Sequence, residues 1–243
     1  MAHPKAFIIN VGANASHAPL RSPIFDDGTF FFVPIPEADE GLPRYRDVLP
    51  EALPYLPAAY RDERTHNDPE FATFTYGDYP VSTGRAGLLK QITPGDYLCF
   101  LARLVMWSRK DGGFMDRAAF YIVGYFEVGE VFQNVPLSPP ESVLRAVANN
   151  AHVRRLRGPE DYRLWIIKGT SNSRLLRRAL PFDRKLADRV MRDTNGDRWS
   201  WDPLRTDLQV IGSYTRSCRM ISDPDRVAVL LEEVREYAGA GVV

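Results

Sequence analysis

Between residues 96 and 132 the chain carries two apolar runs, DYLCFLARLVMW and AAFYIVGYFEVGEVF, parted by a short segment with adjacent glycines, Gly112 and Gly113. Runs of this length, rich in aromatic and β-branched residues, read as strands, and a glycine turn between them folds the second back on the first. The pattern predicts strands over 96–107 and 118–132 at the centre of a mostly antiparallel sheet. Gly124 and Gly129 interrupt the second run, as a strand does where it bulges or where another backbone comes close.

Other elements are arranged around that pair. KAFIINVG, 5–12, is an apolar stretch of strand length, and the Asp27-Gly28 turn signal makes 24–33 a hairpin that stops at Pro34. Prolines at 43, 50, 54, 57, 69 and 80 exclude long helices from 37–80, apart from a turn or two near 50–60. A short helix before Pro94, a helix over 140–149 capped by Ser138, and a strand over 161–171 follow. PFDRKLADRVMRD and PDRVAVLLEEVREYA repeat apolar residues at helical spacing. Strands crowd the first two-thirds and helices the last third. That is the pattern of an α+β fold, a mostly antiparallel curved sheet with peripheral helices, in a single domain over 1–243.

The net charge is zero, with 31 Lys and Arg against 31 Asp and Glu, but the charges are unevenly placed. Residues 1–99 hold 8 basic against 13 acidic side chains, and 150–219 hold 16 against 8. Arginine supplies nearly all of the excess, and its planar fork suits phosphate. The alternative is that these arginines are solvated and paired with the intervening aspartates. No run approaches the ~20 apolar residues that span a bilayer and no secretory leader is visible, so a soluble, cytoplasmic protein without a membrane partner is expected. Cys99 and Cys218 lie far apart without a CxxC partner, which points to neither a disulfide framework nor structural zinc.

GxGxxG, GxxxxGK[ST], HExxH and GxSxG are all missing, which disfavours Rossmann redox chemistry, P-loop hydrolysis and zinc proteolysis. The stretch RTHNDPEFATFTYGDYP, 64–80, sets His66 beside Asp68. The two read as an acid-base pair or as two metal ligands; alternatively Asp68-Pro69 forms an Asx-type turn with His66 packed under it. His152 follows a helix, where it either caps the C-terminus or takes part in a site. Trp107, Tyr121, Tyr125, Trp165, Phe71, Phe74, Tyr76 and Tyr79 supply rings able to sandwich a base, most of them expected in the core. KGTSNSRLLRR, 168–178, reads as a phosphate-gripping loop or as a polar turn before a basic helix.

The ordered set SPIFDDGTFFFVPIPE, HNDPE, GDYLCF, VGYFEVGEV and NAHVRR resembles the nucleotide-modification-associated domains of the third type, over about residues 7–178. The family's glycine-glutamine element appears here as TYGDYP, and its glycine-tryptophan as ARLVMW. The strand pair is also similar to PUA-class domains, small curved β-barrels with a pocket for a flipped base. The resemblance implies a role beside nucleic-acid modification or restriction, with His66 and Asp68 in a pocket wall.

These readings combine into one expectation: a PUA-like barrel whose mouth binds a nucleotide or modified base. His66 and Asp68 serve as base-edge or acid-base groups, Arg85, Trp107, Tyr125 and His152 as ligand contacts, and Lys168, Arg174, Arg177 and Arg178 as phosphate contacts. No metal and no cofactor are expected. The partners are nucleic acid or nucleotide and the proteins of a modification system. The rival readings are a nucleotide-directed transferase or hydrolase using His66 and Asp68, and a non-catalytic subunit of a modification or restriction complex.

Overall fold

A computed structural model describes residues 3–135, 140–155 and 163–239. The expected cap Ser138 and the expected strand start at Asp161 lie outside them. Strand β1 (Ala6–Val11) is followed by β2 (Ser22–Ile24), β3 (Ile35–Pro36), the single-turn helix α1 (Tyr45–Val48), β4 (Thr65–His66) and β5 (Thr75–Asp78). The proline-rich segment between β3 and β5 adds only 3-10 turns at Pro50–Tyr55 and Ala58–Tyr60, as Pro spacing requires. Then come β6 (Tyr97–Ser108), β7 (Gly113–Phe132), α2 (Glu141–Val147) and α3 (Ala151–Arg154). The chain continues with β8 (Trp165–Gly169), β9 (Arg174–Pro181), α4 (Arg184–Val190), α5 (Asp207–Tyr214), β10 (Arg219–Ile221) and α6 (Pro224–Gly239). No helix among the described residues is long and apolar enough to cross a membrane.

Eight strands curl into a half-barrel in the order β10-β1-β6-β7-β8-β5, with β2 also on β6 and β9 also on β7. The sheet is mixed, which corrects the antiparallel expectation. β6 and β7 pair antiparallel as their glycine turn requires, but β1 and β2 both lie parallel to β6. A parallel neighbour needs a long crossover, and the proline-rich segment between β2 and β6 is long enough to supply one. Two of the bulges fall beside or at the glycines of β7: the register slips between Ile122 and Gly124 against β6 and at Gly129 against β8, while a third slip, between Val105 and Trp107 of β6, has no glycine. A Cβ on Gly124 would lie 2.6 Å from the Phe71 ring and 2.7 Å from the Arg174 carbonyl oxygen.

Strand alternation divides the core in two. Ala6, Ile8, Cys99 and Leu101 face one layer with α4, α5 and α6, while Phe7, Ile9, Leu98, Phe100 and Leu104 face the inside of the curl. Both sides of β6 are covered, which is why its sequence is almost continuously apolar. Val227, Leu230, Leu231 and Val234 make the buried stripe of α6, each worth roughly 1.5–3 kcal/mol on burial. On the concave side Phe71 and Phe74 pack on Phe126 and Tyr76 on Phe100, so the aromatic run of 71–79 is largely core.

Two local expectations are corrected. The turn at Asp27-Gly28 is present, with Gly28 at φ 80°, and its arms share the Ile24–Phe30 bridge and the bonds Phe25 N–H to Thr29 O and Phe31 N–H to Pro23 O, but the second arm does not run on as a strand to Pro34. Residues 174–181 form β9 rather than a loop or a basic helix, since β7 offers a free edge to which they pair.

Candidate functional site

The ribbon of β3 and β4 places Ile35 opposite His66, so Glu37, just past β3, comes beside the His66 ring. Glu37 Oε2 lies 2.8 Å from His66 Nδ1. That is ion-pair distance, but Nδ1 has no partner in good hydrogen-bond alignment. Asp68 follows, and its side chain does not close an Asx turn on its own backbone. It accepts instead from Gly77 N–H of β5 (3.1 Å) and from Asn150 Nδ2 (2.8 Å).

Asn150, fully buried, is the cap of α3: its Oδ1 accepts from His152 N–H at 3.0 Å. One amide thereby fixes both Asp68 and the turn that carries His152. His152 Nε2 reaches to 3.1 Å of His66 Nε2 and 3.6 Å of Asp68 Oδ2, and the two imidazoles meet edge to face with centroids 4.5 Å apart. Gly77 makes room for this: a Cβ there would stand 2.5 Å from His152 Cδ2 and 2.9 Å from Asn150 Oδ1. His66, Asp68 and His152 are each 8% exposed.

The electrostatics separate the two carboxylates. The His66 ring beside it, and then the Arg155 guanidinium, hold the Glu37 carboxyl down at about 2 despite partial burial. Asp68 is pushed up to about 7 by burial, against the opposing effects of His66, Gly77 N–H and Asn150. Arg155 also pairs with Glu37 Oε1 and donates from Nη2 to His152 Nδ1 at 3.1 Å. A guanidinium can only donate, so His152 Nδ1 is an acceptor and its proton sits on Nε2, directed at His66 Nε2.

The cluster floors a cavity of about 350 Å³ whose walls include Asn10, Tyr76, Asp78, Arg85, Arg155 and Arg216. Asp78 takes the Tyr76 hydroxyl at 2.7 Å, and Arg85 is anchored by its Nε to the Arg216 carbonyl at 3.0 Å. Cys218, a buried free thiol, lines the same wall. A larger cavity, about 430 Å³, lies between Phe31, Phe71, Leu49 and Leu175. Its one buried carboxylate, Glu70, is taken up by Thr73 of its own turn, so the smaller cavity holds the chemistry.

Of the residues expected in a site, His66, Asp68, His152 and Arg85 come together here. Trp107 and Tyr125 do not: Trp107 packs edge-on against Tyr55 and Phe114, and Tyr125 lies across the sheet with Tyr97 and Arg174 in a cavity of about 210 Å³. Lys168 turns inward to the Thr73 and Ala146 carbonyls, and Arg174 folds onto the Ser171 and Ser173 carbonyls. Arg177 and Arg178 are exposed on β9 and line neither cavity at the cluster. Sequence reasoning missed Glu37, Gly77, Asn150, Arg155 and Arg216. Arg155 at i+3 from His152 and Asn150 at the cap position were the available local signals.

Fold and site define an α+β half-barrel protein with a buried histidine-carboxylate cluster below a polar cavity. The family model described as nucleotide modification associated domain 3 matches residues 5–217, and the chain belongs to that family. The match includes every residue of the cluster and ends before β10 and α6. No curated protein and no solved structure matches the chain.

Proposed function

We propose that the protein serves nucleic-acid modification by taking a nucleotide, or a base presented from a nucleic acid, into the cavity above His66 and His152. The observation that carries this reading is the convergence of those two histidines, 86 residues apart in sequence, with 3.1 Å between their Nε2 atoms at the floor of one cavity. About 350 Å³ falls in the range of small-molecule sites, ~300–1,000 Å³. Asp78, the Tyr76 hydroxyl and the imidazoles offer donors and acceptors to a base edge, while Arg85, Arg155 and Arg216 face the cavity as phosphate partners. The curled sheet, with the separate ribbon of β3 and β4 carrying His66, supports a PUA-like mode in which a flipped base enters the mouth.

A nucleotide-directed transferase or hydrolase is the second reading. It is favoured by the row of half-buried Glu37 and buried His66 and His152, with 2.8 Å from Glu37 Oε2 to His66 Nδ1 and 3.1 Å between the two Nε2 atoms, which base recognition alone does not need. Calorimetric titration with nucleoside monophosphates and with single-stranded and duplex DNA, with and without modified bases and at two salt concentrations, tests binding. His66→Ala and Arg85→Ala should each weaken it by about tenfold or more, the worth of a charge-assisted hydrogen bond. Absence of binding at low salt, or equal binding in both variants, rejects the reading. Chromatography of the same mixtures separates a reader, which returns its ligand unchanged, from an enzyme.

A further inference from the structure

We propose that His66 Nε2, His152 Nε2 and Asp68 Oδ2 bind one divalent first-row transition ion, leaving its remaining coordination positions toward the cavity. This goes beyond the nucleotide reading and does not depend on it. Two imidazole nitrogens on one such ion, at ~2.0–2.1 Å each, lie ~2.8–3.4 Å apart for bond angles between octahedral and tetrahedral. The two Nε2 atoms are 3.1 Å apart, and the ligand atoms of all three residues lie within 4.8 Å of one another.

The supports of the ligands match those of a metal site. His66 has Glu37 behind Nδ1, the carboxylate that orients a metal-bound imidazole. Asp68 takes Asn150 Nδ2 on Oδ1 at 2.8 Å and shares the Gly77 N–H between Oδ1 at 3.1 Å and Oδ2 at 3.3 Å, and Oδ2 lies 3.6 Å from His152 Nε2. Asn150 links that carboxylate to the backbone of His152, so these two ligands are held by bonds outside the ion. Two nitrogens and one oxygen suit zinc, iron(II) or manganese rather than magnesium or calcium, which prefer all-oxygen sites.

Arg155 makes this site a two-position device. Its Nη2 donates to His152 Nδ1, which places the ring proton on Nε2, where the ion must bind. Metal binding therefore moves that proton to Nδ1 and breaks the Arg155–His152 bond. Arg155 already lines the cavity and remains paired with Glu37, so the released guanidinium arm faces the cavity.

The test is calorimetry on the metal-stripped full chain with Zn²⁺, Mn²⁺, anaerobic Fe²⁺ and Mg²⁺, with no nucleotide present, alongside the visible spectrum of the Co²⁺ form. One transition ion per chain is expected, with Mg²⁺ at least ~100-fold weaker. His66→Gln and His152→Ala should each weaken binding beyond the ~10–100-fold typical of a lost supporting group, and Glu37→Gln should fall within that range. Arg155→Ala should tighten binding by about 2–10-fold, because the ion no longer has to break a hydrogen bond. Binding that survives His152→Ala, equal affinity for Mg²⁺, or a Co²⁺ spectrum without ligand-field bands overturns the site. Weaker binding in Arg155→Ala overturns the proton exchange. Should a histidine variant unfold, the Co²⁺ spectrum and the Arg155 variant still decide. Nucleotide titrations on metal-free and metal-loaded protein then tell failure of the ion site from failure of the nucleotide reading.

Discussion

Residues 64–78 and 168–178 are both polar, both close a strand, and both carry the side chains from which a nucleotide site is ordinarily built. The first segment folds as a two-residue strand, a turn stabilised by Glu70, and a short edge strand, so no period governs where its side chains point. His66 and Asp68 turn to the same side and meet α3. The second segment is two strands and a tight connection, and its basic side chains are spent locally or spread along the sheet. Lys168 ties two carbonyls, Arg174 ties two more, and Arg177 and Arg178 stand exposed on β9. Backbone that folds back on itself at a sheet edge brings its side chains together; backbone laid out along the sheet, even with the register slip of β9 between Leu175 and Leu180, spreads them apart.

Substituting one glycine should sharpen this contrast most. Gly77→Ala pushes a Cβ into His152 and Asn150, so metal and nucleotide binding should both be lost, with stability lower by about 1–3 kcal/mol. Gly124→Ala, whose Cβ meets Phe71 and the Arg174 carbonyl, should cost similar stability and leave both affinities within about twofold. Denaturant unfolding and calorimetry on the two variants measure the difference. If both lose binding equally, the cluster is sensitive to the whole sheet and the contrast between segments fails.

Asn150→Ala comes next. It removes the cap of α3 and leaves Asp68 with Gly77 alone, so unfolding should show about 1–3 kcal/mol of lost stability. Metal affinity should fall ~10–100-fold, as it does when a supporting partner is lost. Lys168→Met has the opposite profile. Two carbonyls lose a charged donor at about 1–3 kcal/mol, while nucleotide affinity measured by calorimetry stays unchanged.

Parts of this molecule could be read from sequence because their cause is local. β6 is apolar on both faces, Gly124 and Gly129 sit at real bulges, and α6 repeats its stripe at i, i+3, i+4 and i+7. α5 carried a legible sign that went unused, the capping box of Thr206 and Gln209, but its weak amphipathicity hid it. The parallel pairing of β1 with β6 and the meeting of His66 with His152 have no local cause, since both depend on where a long crossover returns. The arginines misled for a related reason: their charge was legible, but the carbonyl partners of Arg174 and the pairing of β9 with β7 were not.

The smallest expected effect is the one most able to break the contrast. Arg177→Ala and Arg178→Ala change exposed side chains on β9, and Arg178 lies over Gly28, so each should shift stability by less than about 0.5 kcal/mol. Neither lines the cavity, so affinity for a mononucleotide should not move. With DNA the outcome separates two roles for the strand. A residue that takes no part in binding leaves the salt dependence unchanged, whereas one that grips a phosphate lowers its slope by about one. A slope lowered by one in both variants, with mononucleotide binding intact, would make β9 the track for the nucleic-acid backbone. The cavity at His66 would then hold the base, and the two segments would be halves of one site.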